Sequence, residues 1–315
     1  MEFRKSSVEE MNSPHLLVIG GTGFIGHHLI RVAQLKGWHT TSVSLNSPSE
    51  ERFVDGIRYL HFDMTDDSLV RKYLVDDYNY VVNLGGYINH KLFKDGGRSL
   101  IETHFTTLQN LLETIPRSKL KRFVQIGSSD EYGNSPAPQH ENLREKPISP
   151  YSLAKVAGTH FLQMLHRTEK FPAVILRLFL TYGPGQDAGR FLPQIIRGCL
   201  DNTEFPTSAG EQLRDFCYVE DTIRAILKAL VEPEVEGEVF NVASGAPISI
   251  RTMITKVCNL TGSGRPQYGK VLYRPEENMN LYADIKKIQE TLSWSPQVSL
   301  EQGLRETISW YEGIG

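Results

Sequence analysis

The sequence predicts an α/β protein with a doubly wound parallel sheet and a smaller, interleaved C-terminal lobe. Apolar runs rich in Val, Ile and Leu alternate with amphipathic stretches through the first half of the 315 residues. These runs do not alternate strictly between polar and apolar positions, as expected of strands that are covered on both faces. After Gly183-Pro184-Gly185 the pattern loosens and Pro and Gly become frequent, which predicts the second lobe.

The elements follow from these patterns in chain order. The predicted strands are His15–Gly20, His39–Leu45, Arg58–Phe62, Tyr80–Leu84, Arg122–Ile126, Ala173–Leu180 and Glu238–Val242. The predicted helices are Phe24–Lys36, Asp67–Asp76, Arg98–Thr114, Ser149–Thr168, Arg190–Asp201 and Glu220–Leu230. Three further segments follow in the lobe: Ser249–Leu260, Asp284–Leu292 and Leu300–Tyr311. We expect 14–184 to form the main domain, to which 215–245 return, and 185–214 with 246–315 to form the lobe.

Composition excludes several classes of protein. The chain has 34 Lys+Arg and 37 Asp+Glu, and a net charge of −3 gives no electrostatic case for nucleic acid or an anionic membrane. The most apolar stretch, Ala173–Leu180, is short and contains Arg177, so we expect no membrane span. Residues 1–13 are polar and charged, which predicts a disordered leader and not a secretory signal, and hence a cytoplasmic protein.

Neither cysteine nor histidine spacing predicts a metal site. Three cysteines without ligand spacing predict thiols in a reducing compartment: Cys199, Cys217 and Cys258. The ten histidines are scattered, and the adjacent His27 and His28 would not share a helix face.

The first strand runs into Gly20-Gly21-Thr22-Gly23-Phe24-Ile25-Gly26, which opens the first helix. Glycines in a strand–turn–helix let the backbone approach a pyrophosphate, and the helix N-terminus offers free N–H groups. A plain tight turn is the alternative, but the strand before and the amphipathic helix after favour a Rossmann-type dinucleotide site.

The end of the second strand bears on the choice of cofactor. An NAD site usually has a carboxylate there for the ribose 2′-OH, but residues 41–47 contain none. Ser44 and Asn46 can donate to a 2′-phosphate, and Arg52 could add charge if its loop folds back, so NADP is favoured and NAD is the alternative. Asp63 stands where it could bind an adenine amino group; its other interpretation is a helix N-cap, which Asp66 could equally provide.

Tyr151 and Lys155 are spaced so that both share one helix face. A lysine ammonium favours the phenolate of a neighbouring tyrosine, which suits that tyrosine for acid/base work, although a solvated Tyr and Lys is common for this spacing alone. The fifth strand ends near Ser128 and Ser129, and ligands bind at such strand ends. A hydroxyl there could bond the oxygen that Tyr151 protonates; the alternative is a turn or cap.

Together the motifs resemble the extended short-chain dehydrogenase/reductases of the NAD-dependent epimerase/dehydratase group, which act on nucleotide sugars. The matching pieces run in family order over nearly the whole chain: Gly20–Gly26, Asp63, Asn83–Gly86, Ser128–Gly133, Ser149-Pro150-Tyr151 with Lys155, Tyr182–Gly185, Arg214-Asp215-Phe216, Val219-Glu220-Asp221 and Arg274-Pro275.

The resemblance implies roles for individual residues. Tyr151 would be the acid/base, Lys155 would also hold the nicotinamide ribose, and Ser129 or Ser128 would bond the same sugar oxygen. The implied cofactor residues are Gly20, Gly23, Phe24, Ile25, Gly26, Ser44, Asn46, Asp63, Met64, Leu84, Gly85, Gly86 and Lys155, and the implied substrate residues are Tyr87, Arg190, Arg214 and Arg274. Arg214 and Arg274 would grip the substrate diphosphate. Helices 98–114 and 149–168 would pair into a homodimer.

Several reactions stay open within the family. The favoured one is hydride transfer at sugar C4, by a 4-ketoreductase or a 4-epimerase of a nucleotide-linked hexose or deoxyhexose. Asp130 and Glu131 resemble the acid/base pair of the 4,6-dehydratases, although the segment to Gly133 is one residue shorter. Leu180 and His104 stand where many relatives carry Asn, which suggests a different substrate pocket. From another class, a non-catalytic dinucleotide-binding protein remains an alternative, but such proteins typically lose the Tyr or the Lys.

Overall fold

The computed structural model describes residues 13–273 and 277–313. Its strands are β1 His15–Ile19, β2 His39–Ser44, β3 Arg58–His61, β4 Tyr80–Asn83, β5 Arg122–Ser128, β6 Ala173–Leu178, β7 Leu180–Tyr182, β8 Glu204–Pro206, β9 Leu213–Arg214, β10 Phe216–Tyr218, β11 Val239–Val242, β12 Ile248–Ser249, β13 Arg265–Gln267 and β14 Asn280–Leu281. Its α-helices are α1 Phe24–Leu35, α2 Asp67–Tyr73, α3 Arg98–Ile101, α4 Thr107–Thr114, α5 Pro150–Glu169, α6 Phe191–Leu200, α7 Val219–Val231, α8 Ile250–Thr261, α9 Lys286–Leu292 and α10 Leu300–Glu312.

Seven strands form the main sheet in the order β11-β6-β5-β4-β1-β2-β3. Strand β1 pairs in parallel with both β2 and β4, so the winding direction reverses between β1 and β4. Ligands of open α/β sheets bind at the carboxyl ends of the strands, beside this reversal. The predicted Rossmann-type, doubly wound parallel sheet is confirmed.

The strands at the centre of the sheet are covered on both faces, and this burial stabilises the sheet. Leu16, Leu17 and Val18 of β1 are fully buried, and every residue of β5 and β6 is buried. A continuous apolar run with no polar face is what such a strand requires. The core cluster joins these strands to the inner faces of α2, α4 and α5.

Two predicted elements are divided in the structure. The run Ala173–Leu180 leaves the main sheet at Phe179, and Leu180 begins β7, which pairs in parallel with β10. The predicted helix Arg98–Thr114 is interrupted by a π-helical turn, Glu102–Thr106, between α3 and α4. Such turns occur frequently at functional sites.

The chain divides into two compact units. Among the described residues, the first holds those within Met1–Gly127, Ser149–Leu176 and Ile226–Val239, and the second those within Ser128–Ile148, Arg177–Ala225 and Phe240–Gly315. The second unit contains three small sheets, β10-β7, β12-β9-β14 and β13-β8.

The described residues also show the state of the cysteines. All three cysteines are free, and the Cys199 and Cys258 sulfurs lie 3.5 Å apart. Within 13–273 and 277–313 no group of three His, Cys, Asp or Glu side chains could hold a metal ion. In the same ranges no helix has the length and apolar character that crossing a membrane requires.

Candidate active site

The glycine turn after β1 is shaped by close backbone contacts. Gly20 has φ +83°, and a Cβ on Gly26 would lie 2.2 Å from the carbonyl oxygen of Gly20. Helix α1 starts at Phe24 behind Gly23, and no side chain caps it. The glycines therefore let the helix start close against the turn, and the N–H groups at this helix N-terminus fit a pyrophosphate.

The loop after β2 does fold back on the glycine turn. Arg52 donates from Nη1 to the carbonyl oxygen of Thr22 at 3.1 Å, and the His27 ring nitrogen bonds the Arg52 carbonyl at 3.0 Å. The Thr22 N–H donates to the Ser44 hydroxyl at 3.3 Å. A serine and a guanidinium therefore lie at or after the end of β2, where a Rossmann-type NAD site usually has a carboxylate for the ribose hydroxyl.

The structure shows which of Asp63 and Asp66 caps the helix after β3. Asp66 caps α2 by accepting from the N–H groups of Ser68 at 3.0 Å and Leu69 at 3.3 Å. The exposed Asp63 carboxylate accepts instead from the N–H and the hydroxyl of Thr65. Asp63 is thus not the helix cap, while Met64 beside it is buried.

Residues 84–87 follow β4 and face the π-helical turn. The Leu84 N–H donates to Ile19 at 2.9 Å, and the Gly85 N–H donates to the Asn83 side chain at 3.0 Å. Gly86 has φ +107°, and a Cβ there would lie 2.1 Å from the His104 ring. Only glycine fits this position beside His104.

Tyr151 and Lys155 lie one turn apart on α5 and are both buried, with 4% and 8% exposure. The helix is fixed at its start by Pro150 in the first position and by a reciprocal cap between Ser149 and Ser152. The Lys155 ammonium donates to the Ile126 carbonyl at 2.9 Å and lies 5.9 Å from the centroid of the Tyr151 ring. The cation is thereby anchored to β5 while it remains next to the phenol.

His104 lies against this pair. Its ring meets the Tyr151 ring edge-on with centroids 5.1 Å apart, and its Nε2 lies 3.0 Å from the Tyr87 carbonyl oxygen. Burial, and then the nearby Lys155 cation, lower the pKa of His104 to about 3. The imidazole is therefore neutral at ordinary pH.

In the second unit, the turn after β5 is built around a buried carboxylate. Glu131 is fully buried; it accepts the Ser128 N–H on one oxygen at 2.9 Å and pairs with Arg177 on the other at 2.9 Å. Arg177 also binds Glu145 at 2.6 Å. Burial alone would lower the pKa of Arg177, but the facing Glu131 carboxylate, then Tyr132 and the Glu145 bond, outweigh it and raise that pKa.

Sequence reasoning used Arg177 only as a break in an apolar run and missed this network. The signal was present, because a charged residue inside a fully buried strand demands an ionic partner. Ser128 caps the turn through the Asp130 N–H, and Ser129 is buried.

The predicted substrate residues have different surroundings. Arg214 is 9% exposed and is paired with Glu277, and it also donates to the Leu213 carbonyl at 2.8 Å. Arg190 precedes α6. Tyr87 is half exposed, and Arg274 lies outside the described residues.

Within the first unit the structure thus brings together His104, Tyr87, Tyr151 and Lys155, and it joins the glycine turn to Ser44 and Arg52. A Rossmann-type parallel sheet, flanked by a helix with a buried Tyr and Lys one turn apart, is the arrangement that the resemblance to the short-chain dehydrogenase/reductases predicts.

The comparisons identify the family. The model of the "NAD dependent epimerase/dehydratase family" matches residues 16–243. A dTDP-glucose 4,6-dehydratase from Streptomyces niveus is 28% identical over 311 residues, which cover 94% of this chain and 92% of that protein.

Two solved structures are similar in fold and sequence. One is a UDP-glucose 4-epimerase from Thermotoga maritima with UDP-glucose, 26% identical with a TM-score of 0.86, covering 95% of this chain and 99% of that one. The other is a UDP-glucuronic acid 4-epimerase from Bacillus cereus in complex with NAD, 26% identical with a TM-score of 0.85, covering 96% and 100%. The chain belongs to the NAD dependent epimerase/dehydratase family, and the predicted family and enzyme type are confirmed.

Proposed function

We propose that the protein is an NAD(P)-dependent enzyme that modifies a nucleotide sugar by hydride transfer at C4, as a 4-ketoreductase or a 4-epimerase. The observation that carries the proposal is the buried Tyr151–Lys155 pair, whose ammonium is anchored on Ile126 beside the phenol. Relatives named as UDP-sugar 4-epimerases and dTDP-glucose 4,6-dehydratases support the substrate class.

The chain's own groups would divide the work as follows. The Tyr151 phenol exchanges a proton with the C4 oxygen, and the Lys155 cation favours the phenolate that remains after the proton is given. The Ser129 hydroxyl, or that of Ser128, donates to the same sugar oxygen. When bound, the nicotinamide supplies or accepts the hydride.

The proposed cofactor residues lie in the first unit, whereas the proposed substrate residues come from both, with Tyr87 in the first unit and Arg190 and Arg214 in the second. A Cβ at Gly26 would collide with the Gly20 backbone, so glycine there lets the start of α1 pack closely on the turn, and the N–H groups at that helix N-terminus would bind the pyrophosphate. Phe24 and Ile25 open the helix, and Asn46, Asp63, Met64 and Leu84–Gly86 complete the proposed cofactor residues. Tyr87, Arg190, Arg214 and Arg274 are the proposed substrate residues, with Arg214 exchanging Glu277 for the diphosphate.

We further propose that NADP is preferred to NAD. The support is the Arg52 guanidinium folded onto Thr22, the Ser44 hydroxyl, and the absence of a carboxylate from positions 41–47. A 2′-phosphate gains from a guanidinium and would be repelled by a carboxylate. NAD remains the alternative, and an NAD complex is named for one similar structure.

The 4,6-dehydratase is the second candidate function, because a dTDP-glucose 4,6-dehydratase matches most of the chain. Its chemistry would need Asp130 and Glu131 as acid and base. Both oxygens of Glu131 are already engaged, by the Ser128 N–H and by Arg177, which favours a structural role for Glu131 and leaves Asp130 as the candidate acid.

A homodimer is also proposed, through α5 and the helices between 98 and 114. Leu153 and Met164 on α5 are large apolar side chains with 48% and 36% exposure, which a second copy could cover. Sedimentation at micromolar concentration should give twice the monomer mass, and a monomer would contradict the dimer.

The function is tested by a screen of nucleotide-linked sugars with product analysis. UDP-, GDP-, CDP- and dTDP-linked 4-hydroxy and 4-keto hexoses are incubated with NAD(P)H or NAD(P)⁺, followed by absorbance and mass spectrometry. An epimerase leaves the product mass unchanged, a ketoreductase adds two hydrogens with consumption of NAD(P)H, and a dehydratase removes one water. Absence of every one of these changes across the screen would contradict the proposal.

A further inference from the structure

His104 is a buried polar residue that the proposed reaction does not use. It lies in the π-helical turn Glu102–Thr106, in a helix that the sequence predicts as continuous. Its side chain is 9% exposed, faces Tyr151, and crowds Gly86 so closely that no Cβ fits there. An extra residue in a helix turn, a buried imidazole and an obligatory glycine therefore meet at one point.

The hydrogen bond of His104 fixes which nitrogen carries its proton. Nε2 lies 3.0 Å from the Tyr87 carbonyl oxygen, and because a carbonyl can only accept, Nε2 must be the N–H donor. A neutral imidazole with its proton on Nε2 suffices for this bond. The ring thus ties the backbone at Tyr87 to the helix turn.

The other contact of His104 is with the proposed acid/base. The imidazole and the phenol of Tyr151 meet edge to face at 5.1 Å and 74°, which is a favourable aromatic geometry. The ring of His90 approaches Tyr151 from the exposed loop at 6.1 Å. Lys155 is the cation that faces His104, and its charge opposes protonation of the imidazole.

We propose that His104 is a positioning residue for the reaction: its ring holds the Tyr151 phenol and the Tyr87 peptide in a fixed relation, through the edge-on contact and the Nε2–H bond. This inference rests on the proposed function for its kinetic consequence, but the geometry is testable without turnover. A displacement of a proton-transfer group by about 1 Å can cost about 100-fold in rate, so such a contact acts on kcat.

The kinetic test compares His104→Leu with His104→Gln. Leu keeps an apolar side chain but has no donor, whereas the Gln amide nitrogen can reach the place of Nε2 and donate to Tyr87. We expect Leu to lower kcat by about 10- to 100-fold with KM changed by less than about threefold, and Gln to recover most of kcat.

A matched control is His166→Leu. His166 is also a helical histidine whose ring nitrogen bonds a backbone carbonyl, that of Phe171 at 3.2 Å, and it too crowds a glycine of positive φ, Gly237. We expect this variant to lose stability and to keep kcat. If His104→Leu behaves in the same way, losing stability with kcat intact, His104 is merely structural and the proposal fails.

The pH dependence gives two further readouts. The kcat profiles of the parent and His104→Gln should superimpose between pH 5 and 8, because the imidazole stays neutral there; loss of a limb in the Gln variant would make His104 an acid/base and overturn the positioning role. The stability difference needs no substrate. The unfolded chain binds a proton on His104 near the ordinary pKa of 6.5 and the folded chain only near 3, so the parent should lose stability relative to His104→Gln as the pH falls from about 6 to 4.

These readouts separate the two proposals. If no nucleotide sugar is turned over, the proposed function fails, and the acid-dependent stability difference still reports whether His104 is buried and neutral. If turnover is found and depends on Tyr151 but not on His104, the positioning role alone fails.

Discussion

Each of the two units contains a pair of ionisable groups that the sequence marks for chemistry: Tyr151 with Lys155 on α5 in the first unit, and Asp130 with Glu131 after β5 in the second. In the first pair, the Lys155 ammonium donates to the Ile126 carbonyl and lies beside the Tyr151 phenol. In the second pair, Glu131 is fully occupied by the Ser128 N–H and by Arg177. Both patterns suggest acid/base chemistry in the sequence, but only the contacts show which groups are committed to holding the fold.

The largest effect that we expect is a loss of turnover when Lys155 is replaced. Lys155→Met keeps the length of the side chain and removes the cation, so we expect kcat to fall by about 100-fold or more, together with weaker cofactor binding. Steady-state kinetics and cofactor titration measure both. Turnover within threefold of the parent would show that the cation is not part of the proton transfer.

The second effect is on stability, and it concerns Arg177. Arg177→Leu leaves the buried Glu131 without its partner, which costs about 3–5 kcal/mol of unfolding free energy. Replacing Glu131 and Arg177 together by Leu should restore part of that loss, because no unpaired charge remains. Denaturant unfolding measures each value.

The exposed pair Arg71–Asp67 provides the control, and Arg71→Leu should change stability little. An Arg177→Leu protein as stable as this control would contradict the claim that the Glu131–Arg177 pair holds the fold.

The third effect concerns cofactor choice. Arg52→Ala should weaken NADPH binding by about tenfold or more and leave NADH binding unchanged, because only the 2′-phosphate would contact the guanidinium. Fluorescence titration of both cofactors checks this, with Arg71→Ala as a distant arginine control. Equal losses for the two cofactors, or tighter binding of NADH by the parent, would contradict the NADP proposal.

The smallest effect concerns the N-cap of α5 and tests whether it positions Tyr151. Ser149→Ala removes the cap of the helix that carries Tyr151 and should cost about 1 kcal/mol of unfolding free energy. Ser299→Ala removes the cap of α10 and should cost a similar amount. We expect kcat to fall in the first variant and to stay at the parent value in the second. Equal kcat in both would show that the cap does not position Tyr151.

The sequence predicts the sheet well because each buried strand is an apolar run that can be recognised from its own residues. It also predicts the glycine turn and the Tyr151–Lys155 face, since both depend on spacing within one element. The break at Phe179, by contrast, depends on β10, which is remote in sequence and pairs with β7. The π-helical turn at His104 likewise depends on contacts with the loop at Gly86 and Tyr87, which no local pattern in 98–114 encodes.

Charged residues show the same limit. The sequence alone does not determine whether the loop with Arg52 folds back, because the contact of Arg52 with Thr22 joins residues 30 positions apart. The motif around Glu131 predicts acid/base chemistry, while its partner Arg177 lies 46 positions further along the chain. Spacing within a motif therefore identifies which groups are available, but tertiary contacts decide how each one is used.

The most direct measurement of the central claim is turnover by Tyr151→Phe with the sugar found in the screen. Phe keeps the ring that packs against His104 and removes only the hydroxyl, so the fold and cofactor binding should be preserved. We predict that kcat falls by about 10²- to 10⁴-fold while the cofactor Kd stays within twofold of the parent value. Turnover equal to that of the parent would contradict the claim that Tyr151 carries the proton.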